Sequence, residues 1–216
     1  MPDHGARSMG FVGLGAFTVA GLAFALLGAP SDAPAAPTSS RAAPAVATER
    51  ERQPTASPST RSTPTPERLR IPTIGVATRV TRLGLNPDRT VEVPARAQNA
   101  GWYQHGPPPG QLGSAVILGH VDSKTGPAVF YRLPSLRRGD RIHVRLSDGA
   151  TAHFRVTSVN TYPNDAFPAR QVYAGNPAVP SLNLVTCGGE YDAERGGYQS
   201  NVVVHAEHSA TDDPGT

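Results

Sequence analysis

Residues 141–156 read Arg-Ile-His-Val-Arg-Leu-Ser-Asp-Gly-Ala-Thr-Ala-His-Phe-Arg-Val. Ile142, Val144 and Leu146 alternate with Arg141, His143 and Arg145, and after Asp148-Gly149 the alternation resumes with Ala152, Phe154 and Val156. Successive side chains of an extended chain point to opposite faces, so a period of two gives each run one apolar and one polar face. The Asp-Gly pair suits the tight reversal between antiparallel strands. The stretch therefore predicts a β-hairpin with one face on a core, and places His143 and His153 on its outward face.

Short apolar runs bounded by turn residues recur on both sides of this hairpin. Leu69–Ile71, Thr90–Val93, Ala115–Leu118, Leu182–Val185 and Asn201–His205 read as strands. Only Val129–Leu136 reads as a short helix, limited by Pro134. Seven or eight short strands over roughly 140 residues predict an all-β fold, a closed or nearly closed β-barrel. The whole chain has 216 residues, and its 22 Gly and 22 Pro are too many for an all-helical protein.

Composition changes along the chain. Residues 9–29 carry no charge and are long enough to cross a bilayer core as a helix, and the run exceeds the apolar core of a cleaved signal peptide. It is expected to be a transmembrane signal-anchor. Arg7 on its amino side, in a short tail of residues 1–8, predicts a cytoplasmic amino terminus and an extracellular bulk. Residues 30–66 are rich in Pro, Ala, Ser and Thr and hold too few large apolar side chains to form a core, so they are expected to be a disordered linker. That leaves residues 67–209 as the folded domain and 210–216 as a disordered tail. The formal charge of +3 comes with scattered arginines and no basic run, which argues against nucleic acid as a partner.

The chain has a single cysteine, Cys187, so no intramolecular disulfide and no multi-cysteine metal site can form. The thiol is either a buried apolar residue or a working one. It closes the run Leu182–Thr186 and precedes Gly188-Gly189, which leaves room for a substrate carbonyl, but a turn after a buried Cys has the same spacing. His120 ends the run Ala115–Leu118 behind Gly119, where an imidazole can exchange protons with a thiol or simply sit at a strand end. A zinc site from His205, His208 and Asp122 lacks any usual ligand spacing.

Two segments separate these readings. Leu118-Gly119-His120-Val121-Asp122-Ser123 with Gly126–Phe130, and Leu184-Val185-Thr186-Cys187-Gly188-Gly189 with Asn201–Val204, resemble the two signature regions of sortases, and within them the actinobacterial class F group. Arg70-Ile71-Pro72, Gly101-Trp102-Tyr103, Pro107–Gly110 and Asp165–Pro168 extend the resemblance over residues 69–206. It implies an eight-stranded barrel outside the membrane and a cysteine transpeptidase. Such an enzyme cleaves an LPXTG-like sorting signal of secreted proteins and passes the acyl group to an amine such as a cell-wall precursor. Cys187 would be acylated, His120 would be the acid/base, and no metal or organic cofactor would be required. Many sortases place an oxyanion-binding Arg where this chain has Asn201. The nearest arginine is Arg195, in the loop 190–197, so Arg195 is the expected oxyanion donor and Asn201 the alternative. Two other readings stand beside this one. An L,D-transpeptidase-like peptidoglycan enzyme usually has His-Gly before its Cys and Arg after it, where Thr186 and Gly188 stand here. A membrane-anchored binding module would use Cys187 only structurally.

Overall fold

The computed structural model describes residues 63–209. The expected anchor at 9–29, most of the linker and the tail from 210 lie outside them. Among the described residues, no helix is long and apolar enough to cross a membrane.

The described residues form ten strands: β1 (Pro66–Ile71), β2 (Val76–Leu83), β3 (Ala100–Tyr103), β4 (Gly113–Gly119), β5 (Asp122–Ser123), β6 (Gly126–Pro127), β7 (Arg141–Leu146), β8 (Thr151–Pro163), β9 (Pro180–Asp192) and β10 (Gly197–His208). Eight of them close a barrel in the order β1-β2-β3-β4-β9-β10-β8-β7, with β7 pairing back onto β1. The pairings β2–β3 and β4–β9 are parallel and the other six are antiparallel. β5 and β6 make a separate small hairpin. Closure leaves the barrel no open sheet edge.

The hairpin of residues 141–156 forms as β7 and β8. Ile142 faces Phe154 and Val144 faces Ala152, all four buried. Gly149 takes φ +86°, a conformation that costs a residue with a Cβ, and its N–H closes the turn on Leu146 O at 3.0 Å. Leu69, Ile71, Ala115, Ile117, Leu182, Leu184 and Val204 join the hairpin residues in the barrel interior.

A second, smaller apolar cluster lies on the outside of the wall. It holds Leu83, Val91, Val116, Leu118, Val172, Val185 and Val203. The helix α1 (Ala169–Tyr173) contributes Val172 and covers this face, so β4 is buried on both sides. A polar knot fastens the helix: Asn183 Nδ2 donates to Ser114 Oγ and to Val172 O, each at 2.7 Å, and Asn183 Oδ1 faces His205 Nδ1 at 2.8 Å.

Two sequence expectations fail for local reasons. Thr90–Val93 forms only a single bridge, between Leu85 and Val91. Its backbone groups are taken within its own loop, by Asn86 N to Thr90 O at 2.8 Å and Glu92 N to Gly84 O at 3.1 Å, and Pro94 has no N–H to continue a ladder. In Val129–Leu136 only Leu133–Ser135 is helical, as a 3-10 helix; residues 129–132 form turns, and Val129 N and Phe130 N donate outside the segment, to Ala97 O and His120 O.

Candidate functional site

The parallel pairing of β4 with β9 sets Leu118 beside Val185. Continuing that register by two residues brings position 120 beside position 187. On the other side of β9, the antiparallel pairing with β10 sets Asn201 opposite Cys187, and β10 in turn sets Tyr162 of β8 opposite Asn201. One row across four neighbouring chain segments thus reads His120, Cys187, Asn201, Tyr162. Leu182 and Leu184 point into the barrel, so alternation puts Asn183, Val185 and Cys187 on the outer face. The thiol therefore lies on the outer side of the wall, after Val185 of the second cluster, rather than in the barrel core.

Cys187 is half-buried. Burial pushes its thiol above the ordinary cysteine range, and the negative charge of Asp122 adds to the shift; a hydrogen bond from its own backbone opposes both. At neutral pH the sulfur therefore keeps its proton and needs a base to become a nucleophile.

His120 stands just past β4 and is held at two points. Its Nε2 lies 2.7 Å from Pro94 O, and since a carbonyl can only accept, Nε2 carries the proton. That leaves Nδ1 as the nitrogen that can exchange a proton. Its own carbonyl accepts from Phe130 N at 2.9 Å. Gly119 makes this approach possible, because a Cβ there would lie 2.5 Å from Phe130 Cδ2.

Asn201 is buried, and its Nδ2 donates to Asn164 Oδ1 at 2.9 Å, which leaves that amide one further N–H. Asn164 donates to Tyr198 O at 2.7 Å. Arg195 is placed elsewhere, at the tip of the β9–β10 hairpin. Its Nε pairs with Asp192 Oδ2 at 2.7 Å and its side chain is 62% exposed. A strand rise of about 3.3 Å per residue puts Asp192 roughly 16 Å along β9 from Cys187. Of the two candidate donors, Asn201 is the one set across from the thiol.

The sequence reading did not single out Tyr198 or assign Asp122 a role at the thiol. Tyr198 Oη donates to Asp122 Oδ2, tying the β5–β6 hairpin to the β9–β10 hairpin beside Cys187. That hydrogen bond, with burial and the Asp122 charge behind it, pushes the phenol up to about 12. Asp122 lies two residues after His120 in the quoted signature, so proximity could have flagged it. Tyr198 is hidden by a register shift between Tyr198 and Ser200, where β9 carries an extra residue. No group of three or more His, Cys, Asp or Glu side chains among the described residues is arranged to hold a metal ion.

Comparison with known proteins gives a consistent placement. Sortase A from Corynebacterium diphtheriae superimposes with a TM-score of 0.54 at 18% identity, covering 71% of this chain and 64% of that one. Sortase C-1 from Actinomyces oris gives 0.53 at 20%, covering 67% and 73%. A Clostridium perfringens sortase D5 transpeptidase gives 0.51 at 21%, covering 68% and 79%. These likenesses establish the fold, and the match spans less than two thirds of the Corynebacterium chain. No curated protein matches the sequence. The sortase domain family, however, matches residues 69–209, nearly the whole described barrel. The chain belongs to the sortase family.

Proposed function

We propose that this chain is a cysteine transpeptidase that cleaves a sorting signal in secreted proteins and joins the released carboxyl end to an amine. The observation that carries the reading is the row His120, Cys187, Asn201, which sets a half-buried thiol between an imidazole-bearing segment and an amide donor.

The chemistry follows from the groups. Cys187 holds its proton at rest, so His120 Nδ1 takes it as the sulfur attacks the scissile carbonyl. The oxyanion that forms accepts from the remaining N–H of Asn201 and from backbone N–H groups near Gly188. The C–N bond then breaks, and the imidazolium returns the proton to the leaving amine. An incoming amine loses its proton to the same His120, attacks the thioester and expels the thiolate, which is reprotonated. Tyr162, Phe167, Tyr173 and Tyr103 pack as a string of aromatic rings on the outer cluster, an apolar surface suited to the Leu and Pro of an LPXTG-like signal.

The finer reading is a class F enzyme anchored by residues 9–29, with the barrel on the extracellular side and a cell-wall precursor as acceptor. Its support is the sequence: the uncharged run, the Pro-rich linker and the signature residues. Protease added to intact cells should then cut within 30–66 and release the barrel; full protection of the chain overturns this topology. For the activity, the full chain in detergent is incubated with a library of sorting-signal peptides and analysed by mass spectrometry. An acyl adduct on Cys187 is expected, and its mass gives the cleavage point. Absence of any adduct, with binding retained, favours a binding module with a structural cysteine.

A further inference from the structure

Six of the arginines that look scattered along the sequence fall on one wall of the barrel. On the outward positions of β2, β1, β7 and the first half of β8, neighbouring strands set like charges side by side. Arg79 of β2 pairs with Arg68 of β1, and Arg68 pairs with Arg145 of β7. The next row runs Arg70, His143, His153. In the third, Arg141 faces Arg155, and only there does a carboxylate close the row, Glu207 of β10. Arg68, Arg70, Arg79 and Arg145 are all exposed. The remaining outward positions on these strands are Ala77, Thr81, Thr151 and Thr157, and the one acid the strands carry is the exposed Glu67, at the bulge that opens β1. Among the acids nearby, Asp140 and Asp148 flank the two ends of β7, while Asp122 lies in the β5–β6 hairpin and Glu190, Asp192 and Glu194 at the tip of the β9–β10 hairpin.

Like charges directly opposite one another destabilise a sheet, so the row Arg79, Arg68, Arg145 works against the fold, and a negatively charged ligand lying over it would offset that cost. The shape of the wall selects among polyanions. Four of eight strands make up half the barrel's circumference, so the directions of Arg79 and Arg155 diverge by roughly 135°. A flat bilayer or a stiff duplex meets only one strip of such a surface, whereas a flexible chain can follow it round. Single-stranded nucleic acid also bends, but it binds through aromatic platforms for its bases, and these positions hold no Phe, Tyr or Trp.

We infer that the β2-β1-β7-β8 wall binds a flexible, base-free phosphodiester polymer, holding the enzyme on an anionic polymer while the cysteine end stays clear. Neighbouring arginines of the row Arg79, Arg68, Arg145 stand on strands about 5 Å apart, close enough for neighbouring phosphates of one chain to be shared between them.

The test uses the full chain in neutral detergent micelles and fluorescent poly(glycerol phosphate), titrated by anisotropy between about 50 and 200 mM salt. Wild type should bind with a steep salt dependence. Replacing Arg68, Arg79 and Arg145 together by Gln should weaken binding at least about tenfold at low salt and cut the salt slope by about 2, from three lost contacts at about 0.7 each. The variant should melt no lower than wild type, because repulsion has been removed, and the corresponding triple Lys variant should bind within about threefold of wild type. Replacing Arg89, Arg96 and Arg170, exposed arginines outside these four strands, removes the same net charge and should change binding by less than about threefold. Equal losses in the two Gln triples, tighter binding of oligo-dT than of the polymer, or displacement of the polymer by doping the micelles with phosphatidylglycerol each overturns the inference.

Discussion

Replacing Gly119 by Ala tests whether the packing behind His120 is what holds the site in shape. A Cβ at this position would lie 2.5 Å from Phe130 Cδ2 and 2.8 Å from both Phe130 Cε2 and Val129 Cγ1. Carbon atoms rest at about 3.5–4.0 Å, so the ring or the strand must give by about 1 Å. Phe130 is fully buried and cannot swing into solvent. Overpacking of this kind costs about 1–3 kcal/mol, and at this domain size each kcal/mol lowers Tm by about 2–4 °C, so a fall of about 2–12 °C is expected. The site should suffer more than the fold. Phe130 N is hydrogen-bonded to His120 O, so the displaced segment carries the imidazole with it, and about 1 Å of misplacement at a reacting group costs about 10²-fold in turnover. Thermal unfolding by circular dichroism and peptide cleavage, measured well below the variant's Tm, give the two numbers. A Tm within about 1 °C of wild type together with turnover within about threefold would refute the reasoning.

Other substitutions probe the remaining parts of the site. Asn201→Ala should slow acylation by about 10²–10³ with little change in substrate binding, whereas Arg195→Ala, at the hairpin tip, should leave single-turnover acylation within about threefold; the reverse pattern would make Arg195 the oxyanion donor. Asp122→Asn removes a negative charge that opposes the thiolate, so the pH profile of Cys187 alkylation should move to lower pH; an unchanged or upward-shifted profile contradicts the electrostatic reading. Cys187→Ala should abolish turnover while Tm stays close to wild type, since the thiol is only half-buried, and a matched loss of both would make the cysteine structural. Asn183→Ala strips Val172 O and Ser114 Oγ of a donor beneath α1 and should cost about 1–3 kcal/mol in denaturant unfolding, with no loss there meaning the knot is dispensable.

Most of the barrel was readable because its interior residues alternate cleanly. β7, β8, β4, β9 and β10 each carry an apolar period of two or a continuous apolar run, and these emerge as strands. β2 escaped because only Val80 and Leu83 of its eight residues are buried, so its pattern is mostly polar. α1 escaped because five residues give too little periodicity to distinguish a helix from a turn. At the site, Cys187 and His120 were singled out by the resemblance of their segments, since local spacing left each open, and what lies beside them depends on register. The choice between Asn201 and Arg195 is a matter of which residue falls opposite Cys187 in a bulged hairpin, and a one-residue slip reverses the facing of every side chain. Pro94, which supports the His120 ring, comes from a loop with no chemical signature of its own.

The parallel pairing of β4 with β9 also bears on when the enzyme becomes reactive. Ser114 and Asn183, hydrogen-bonded across that seam, are 69 residues apart in sequence, and the intervening chain contains all of β5 to β8 and α1. The β7–β8 and β9–β10 hairpins are local and close early on entropic grounds, while long-range parallel seams form slowly. Until β9 docks along β4, Cys187 has neither His120 nor Asp122 for a neighbour and reacts as the thiol of an unfolded peptide does. On the proposed mechanism, acylation thus requires the β4–β9 seam to be closed.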